Sequence, residues 1–227
     1  MKILVINPNS DARMTELIRQ SAEDFANGDF EVICKSNPTG PEFIDSYRDE
    51  VECASGMIQL VKEHEAKVDG FVIACQDDPN LDMIKELTAK PVVGIAEASM
   101  KIASMLGHRF SIISTSIPSI PNHEIQARKY HVDGSLASVR APGDEMKDWT
   151  HEEKYMTCAR AAIEEDLAEV IVLGCAGMAD LARHMQETLG VPVIDGVACG
   201  LIIARGLIRY GVTTSRIGRY SGPHPAG

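Results

Sequence analysis

Short, continuous apolar runs alternate along this chain with longer stretches of helical periodicity, and this alternation limits its fold more than any other feature. The runs have strand length and lack the polar/apolar alternation of a strand with one solvent-facing side. Such strands are buried on both faces, which is typical of a parallel sheet covered by helices. The predicted strands are residues 2–7, 30–36, 68–75, 91–96, 109–115, 169–175 and 191–196. The predicted helices are residues 11–26 (capped by Ser10 or Asp11), 47–66, 81–89, 180–190 and 200–211, and residues 116–124 are predicted to be a proline-rich loop.

The two halves of the chain repeat one order of elements. In each half a strand ends in cysteine, a helix follows, and a Pro-Val strand comes next, within residues 90–98 and 191–199. We therefore expect an α/β fold of two pseudo-symmetric lobes, each a mainly parallel sheet flanked by helices, with the active site in the cleft between them. The predicted division gives residues 1–97 plus 198–227 to lobe 1 and 98–197 to lobe 2.

Composition narrows the range of partners. The formal net charge of −11 argues against a nucleic-acid or anionic-membrane partner, so we expect a small-molecule substrate. The opening residues, MKILVINPNS, contain too short an apolar run for a signal peptide. No segment approaches the roughly 18 apolar residues that a membrane helix requires. These observations predict a cytoplasmic protein.

Two of the six cysteines are candidates for chemistry. The chain has no CxxC pair and no Cys/His spacing typical of zinc, so we expect neither a disulfide framework nor a metal site. Cys75 and Cys175 both end a strand, 100 positions apart. Ligands of open α/β sheets bind at this end of the strands, where the start of a helix favours thiolate. The remaining cysteines are interpreted as core residues: Cys34, Cys53, Cys158 and Cys199.

Two thiols that face one cleft suit the inversion of a carbon centre. One thiolate removes an acidic proton beside a carbonyl from one face, and the opposing thiol delivers a proton to the other face. Backbone N–H groups and neutral donors must stabilise the enolate, and no metal or organic cofactor is needed. The candidate donors are Asn9, Ser114, Thr115 and the amides from Gly174 through Ala176 to Gly177.

At these residues the chain resembles a known family. The segments VINPNSDARMT, GIAEASMKIA, FSIIST, VLGCAGMADL and VPVIDGV are similar to the hydantoin racemase branch of the aspartate/glutamate racemase superfamily, to which allantoin racemase belongs. The resemblance spans essentially the whole chain. It implies two α/β lobes, cofactor-independent racemisation of a 5-substituted hydantoin or allantoin by Cys75 and Cys175, substrate contact by Asn9, and a homo-oligomer.

The turn after Cys75 departs from the family pattern. The family commonly has an aromatic-Gly-Asp-Pro-Gly run there, whereas this chain has CQDDPN, which retains only Asp78 and Pro79. Gln76 offers a hydrogen-bond donor, and an inward-pointing Asp77 would disfavour thiolate. We therefore expect both residues to contact the substrate and to affect its selection.

Several alternatives remain open from the sequence. A related aspartate/glutamate-type racemase, a maleate-type isomerase or an arylmalonate-type decarboxylase would use similar donors, and a decarboxylase needs only one thiol. A non-catalytic small-molecule sensor would bind ligand without exchanging its proton. Residues with weaker signals are Phe43 and Tyr47 as pocket-lining residues, Glu97 and Asp195 as either cleft residues or helix-start acids, and 218–227 as a surface tail.

Overall fold

A computed structural model describes residues 1–222, apart from the side chain of Asp180; the part of the predicted tail beyond residue 222 lies outside this range. The strands are β1 (Lys2–Asn7), β2 (Glu31–Ser36), β3 (Gly70–Ile73), β4 (Val92–Gly94), β5 (Phe110–Ile113), β6 (Leu136–Arg140), β7 (Val170–Leu173) and β8 (Val193–Ile194). The helices are α1 (Ala12–Ala26), α2 (Tyr47–Glu52), α3 (Ala54–His64), α4 (Leu81–Leu87), α5 (Ile95–Leu106), α6 (Ile120–Lys129), α7 (His151–Asp166), α8 (Ala182–Leu189) and α9 (Gly196–Tyr210). No helix within the described range is both long and apolar enough to cross a membrane.

The strands form two four-stranded sheets of identical topology. Their orders are β2-β1-β3-β4 and β6-β5-β7-β8, and all pairings are parallel. β1 therefore corresponds to β5, and β3 corresponds to β7. This arrangement confirms the predicted α/β fold with two mainly parallel, pseudo-symmetric sheets.

Both faces of each sheet are buried, as the continuous apolar strands predict. In β1, Ile3 and Val5 join a central core that also contains Phe110 and Val172 from the second sheet. Their neighbour Leu4 points to the other face, into a separate core beneath α3 and α4. A third core lies between the second sheet and α7 and α8.

Two helices pack across the halves of the chain. α5 follows the first sheet but packs against β5 and β7 of the second, whereas α9 follows the second sheet and packs against β1, β3 and β4 of the first. The two helices also pack against each other. The division into residues 1–97 plus 198–227 and 98–197 stays a prediction.

The structure corrects three local predictions. Residues 116–124, expected to be a proline-rich loop, form a 3₁₀ turn and the start of α6, because Pro121 lies in the first turn, where no N–H donor is needed. The helix predicted over 47–66 divides into α2 and α3 at Cys53, whose carbonyl accepts a hydrogen bond from Asn37 Nδ2 at 2.9 Å. Strand β6, a half-buried edge strand with mixed polarity, has no counterpart among the predicted strands.

A buried carboxylate joins the turn after β3 to both halves of the molecule. Asp78 accepts hydrogen bonds from the backbone N–H groups of Ala96 (3.1 Å) and Glu97 (2.8 Å), in the first turn of α5. The Tyr130 hydroxyl, at the end of α6, donates a third hydrogen bond at 2.7 Å. Gly94 makes room for this carboxylate, since a Cβ atom there would lie 2.3 Å from Asp78 Cγ. Asp78 thus fixes the turn that carries Cys75.

Candidate active site

The two predicted thiols line one cavity. This cavity has a volume of about 1150 Å³, and residues that follow β1, β3, β5 and β7 line it. Cys75 and Cys175 each lie two residues beyond the last residue of their strand, β3 and β7 respectively. Because β3 and β7 hold the same place in their sheets, the two half-buried thiols occupy equivalent positions.

Burial is the main influence on both thiols, and it raises the pKa of each. The pKa of Cys75 lies well above its ordinary value of 9.0, with the negative charge of Asp77 as the second cause. The pKa of Cys175 is also raised, and here the backbone N–H of Gly177, 3.4 Å from Sγ, opposes burial more strongly than Asp77 reinforces it. Both groups are therefore mainly thiols at neutral pH.

A network of asparagine side chains orients the loop after β1. Asn9 Oδ1 accepts hydrogen bonds from Asn7 Nδ2 (2.7 Å) and from the backbone N–H of Asp11 (3.0 Å). Asn9 Nδ2 is left with a weak acceptor, Met14 Sδ, at 3.2 Å. Asn9 also lines the cavity, and its role as a donor to a substrate carbonyl stays a prediction.

Gln76 and Asp77 both line the cavity, as expected for the turn after Cys75. Gln76 Nε2 donates to Ser99 Oγ at 3.0 Å, and its buried Oε1 has no hydrogen-bond partner among the described residues. Asp77 Oδ1 accepts a hydrogen bond from Asn122 Nδ2, in α6, at 2.7 Å. Burial raises the pKa of Asp77, and the nearby His123 opposes this shift.

The turn after β7 carries Cys175 into a 3₁₀ helix, Ala176–Leu181, whose first residues line the cavity together with Gly174. Gly174 is required by close packing, because a Cβ atom there would lie 2.5 Å from the carbonyl oxygen of Ile113. The N–H groups of Ala176 and Gly177 begin the 3₁₀ helix beside the thiol. Of the three amides predicted as donors, that of Gly174 donates to the Ile113 carbonyl at 2.8 Å and that of Gly177 to Cys175 Sγ at 3.4 Å, so both are engaged within the protein. A donor role for the amide of Ala176 stays a prediction.

Ser114 and Thr115, both predicted as donors, lie in different environments. Thr115 lines the cavity. Ser114 is fully buried and does not line it; its Oγ lies 3.1 Å from Nε2 of His123, which lines the cavity in its place. Burial lowers the pKa of His123, so the ring is mainly neutral near neutral pH. Ser114 therefore supports His123 and does not line the cavity.

Sequence reasoning missed other cavity residues because helices and loops bring them in from distant positions. His123 lies on α6, in a segment interpreted as a loop. Tyr155 lies on α7. Burial, and to a lesser extent the nearby Cys175, raises the pKa of its hydroxyl to about 12. Of the weaker candidates, Phe43 lines the cavity, whereas Tyr47 is 71% exposed outside it.

The two acids at helix starts have structural roles. Asp195 is the N-cap of α9 and accepts a hydrogen bond from the N–H of Val197 at 2.8 Å. Glu97 forms ion pairs with Lys85 (2.6 Å) and Lys101 (2.9 Å). Neither lines the cavity. The sequence left two interpretations open for each residue, and in the structure both are acids at the start of a helix.

Two α/β sheets of one topology, each presenting a thiol to a shared cavity, define an isomerase of the two-lobed racemase class. The model of the family described as Asp/Glu/Hydantoin racemase matches residues 3–203, and the chain belongs to this family. The protein is therefore a racemase, as the resemblance of its motifs predicts.

Relatives and solved structures agree with this assignment. A hydantoin racemase from Pseudomonas sp. (strain NS671) is 40% identical over 98% of this chain and 92% of its own length. An allantoin racemase from Klebsiella pneumoniae superposes with a TM-score of 0.92 at 34% identity, over 100% of this chain and 95% of that one. An allantoin racemase from Pseudomonas fluorescens gives a TM-score of 0.93 at 33% identity, over 100% and 99%.

Proposed function

We propose that this racemase inverts C5 of a 5-substituted hydantoin or of allantoin, which is 5-ureidohydantoin, with Cys75 and Cys175 as the two acid/base residues. The observation that carries the proposal is the equivalent placement of the two thiols at one cavity. The names of the relatives supply the substrate class.

The proposed reaction consists of two proton transfers. The thiolate on one side of the ring removes the C5 proton, and the electron pair moves into the adjacent carbonyl to form an enolate. The thiol on the opposite side then protonates C5, which inverts the centre and exchanges the protonation states of the two cysteines. The return reaction uses the same groups in reverse order and needs no cofactor.

The enolate oxygen needs hydrogen-bond donors. Asn9 Nδ2, the Thr115 hydroxyl and the backbone N–H of Ala176 are the proposed donors, because the N–H groups of Gly174 and Gly177 already donate to the Ile113 carbonyl and to Cys175 Sγ. The direction of the Asn9 amide supports this role, because its oxygen is already used twice and its nitrogen has only a thioether partner. Gln76 and Asp77 complete the proposed substrate contacts.

We also infer a homo-oligomer that works in the cytoplasm. All six cysteines are free thiols, which suits a reducing compartment. Large apolar side chains such as Tyr210, which is 83% exposed, are compatible with a contact between copies.

The test measures two quantities in heavy water for each enantiomer of a 5-substituted hydantoin and of allantoin, with no metal or cofactor added. NMR follows deuterium incorporation at C5, and circular dichroism follows racemisation; the spontaneous rates are subtracted. We expect enzyme-dependent exchange and inversion of at least one of these compounds. Exchange and inversion absent from all of them would contradict the proposed substrate class, and binding without exchange would favour the sensor.

The raised thiol pKa values predict how the rate depends on pH. Catalysis requires one thiolate and one thiol, and the pKa of each thiol lies above its ordinary value of 9.0. We expect kcat/KM to rise by about tenfold per pH unit between neutral pH and the first thiol pKa, since the thiolate fraction grows in this proportion. Stopped circular-dichroism assays from pH 6 to 9, with buffer rates subtracted, check this; a flat profile would contradict it.

A further inference from the structure

The two cysteine turns differ in charge. The N–H of Gly177 donates to Cys175 Sγ at 3.4 Å, and Asp77 holds the equivalent position two residues after Cys75. The first turn therefore places a carboxyl group beside its thiol where the second turn has no side chain. The next position adds a second acid, Asp78, where the second turn has Met178, so the pseudo-symmetric site is asymmetric in charge.

The structure holds the Asp77 carboxyl at the cavity. Asn122, on α6 of the opposite half, donates a 2.7 Å hydrogen bond to Oδ1, so the side chain is tied across the cleft. Asp77 itself lines the cavity together with both thiols. Its negative charge raises the pKa of both cysteines. For Cys75 this effect is larger than the opposing effect of the backbone N–H, whereas for Cys175 the N–H of Gly177 has the larger effect.

The other charged groups near the thiols do not cancel the difference in charge between the two turns. Asp78, next to Asp77, is engaged by α5 and Tyr130 and adds to the negative potential at Cys75. Asp45, from the loop before α2, is an exposed acid that contributes least among the causes at Cys175. Tyr155, on α7, is neutral near neutral pH.

The remaining titratable groups belong to other elements around the cavity. Neutral His123 faces Asp77 from α6, and the other four are exposed or half-buried at α1 and α7: Asp11, Arg13, His151 and Glu152.

We propose that the two thiols differ in acidity and that Asp77 is the positioning residue that sets this difference. In the small fraction of enzyme that is singly ionised at neutral pH, which is the resting form that starts catalysis, the thiolate is on Cys175 and the proton on Cys75. The inference builds on the proposed two-thiol reaction. The resting form accepts the enantiomer whose C5 proton points to Cys175. That proton moves to the Cys175 sulfur, the Cys75 proton moves to C5, and the product leaves the enzyme with thiolate on Cys75. A proton must then pass from Cys175 to Cys75, by way of solvent or of the reverse reaction, to restore the resting form.

Rates of racemisation alone do not reveal this asymmetry. Two enantiomers with an achiral substituent have equal free energies, so kcat/KM must be equal in the two directions whatever Asp77 does. The thiols themselves have to be observed.

The experiment measures alkylation of the whole enzyme by iodoacetamide, a small neutral reagent that the Asp77 charge does not repel. Mass spectrometry of peptides gives the initial rate at each cysteine from pH 6 to 11, and the midpoint of each profile is independent of access to the thiol. In wild type we expect the Cys175 midpoint to lie at least about one pH unit below that of Cys75. Asp77→Asn should lower the Cys75 midpoint by about one unit and change that of Cys175 less, whereas the control Glu152→Gln should change neither.

A reciprocal variant keeps the inference testable if Asp77→Asn folds poorly. In Gly177→Asp an acid is placed beside Cys175, where a Cβ atom would make only ordinary contacts of 3.6 Å with Cys175 Sγ and Met14. We expect the Cys175 midpoint to rise and the gap between the thiols to close. A Cys75 midpoint at or below that of Cys175 in wild type, or midpoints unmoved in both variants, would overturn the inference. If the enzyme racemises its substrate but the alkylation midpoint of Cys75 lies below that of Cys175, this inference alone is wrong. If the midpoints are as expected but no racemisation is observed, the proposed function is wrong.

Discussion

Cys75→Ser and Cys175→Ser should each lower the rate of racemisation by about 1000-fold, the size of effect that general acid/base groups usually have. A serine hydroxyl is a far weaker acid than a thiol, so it neither forms the required anion nor delivers a proton efficiently. Because inversion needs one group on each side of C5, either substitution alone should stop it.

Exchange of the C5 proton should outlast racemisation in these variants. In Cys75→Ser, the remaining Cys175 thiolate still removes the proton from the enantiomer that faces it, and it returns deuterium to the same side. In Cys175→Ser, Cys75 does the same with the opposite enantiomer. Each variant is therefore expected to exchange one enantiomer with retention, and the two variants should select opposite enantiomers.

Cys34→Ser provides the matched control. Cys34 is a half-buried thiol in β2 that does not line the cavity, and its substitution should leave racemisation within about twofold of wild type. If only one of the two cavity cysteines were essential, the two-thiol mechanism would be wrong and a decarboxylase-like use of a single thiol would be favoured. Exchange of the same enantiomer by both variants would also contradict the opposed arrangement.

Gly94→Ala should lower the free energy of unfolding by about 3 kcal/mol, with loss of racemisation at temperatures where the variant still folds. The added Cβ would lie 2.3 Å from Asp78 Cγ and Oδ1, so the carboxylate must leave its place. Its three hydrogen bonds, with α5 and Tyr130, would then be weakened, and the turn that carries Cys75 would shift.

A double-mutant cycle separates this cause from a general effect on β4. Asp78→Ala alone should cost about 2–4 kcal/mol, because it leaves the N–H groups of Ala96 and Glu97 and the Tyr130 hydroxyl without their acceptor. In that background the alanine at position 94 has room, and adding Gly94→Ala should cost little more. Urea unfolding followed by circular dichroism gives the four free energies. Additive losses would show that Asp78 is not what Gly94 accommodates.

Gly206→Ala is the control for a glycine substitution without a clash. Gly206 lies within α9, and a Cβ atom there would meet nothing within 4 Å. The substitution should raise the free energy of unfolding by about 0.5–1 kcal/mol through helix propensity. The opposite signs expected at positions 94 and 206 distinguish packing from backbone effects.

Local pattern determined the sheets and the position of the thiols. Strand β1 occupies the predicted residues, because a continuous apolar run reports burial on both faces and does so without reference to distant residues. Cys75 and Cys175 could be paired from sequence because equivalent strands end before them. Elements with weaker patterns, such as the half-buried edge strand β6, had no comparable signal.

Tertiary structure alone decided what surrounds those thiols. Where a side chain points after a strand ends depends on the turn and on the partners that meet it: Ser114 turns inward to His123, whereas Asp77 is held at the cavity by Asn122. These partners belong to α6, whose position relative to β3 results from the packing of the two halves. The pattern of apolar residues indicates which residues are buried, but it contains no information about which distant polar group will form a hydrogen bond with a buried donor or acceptor.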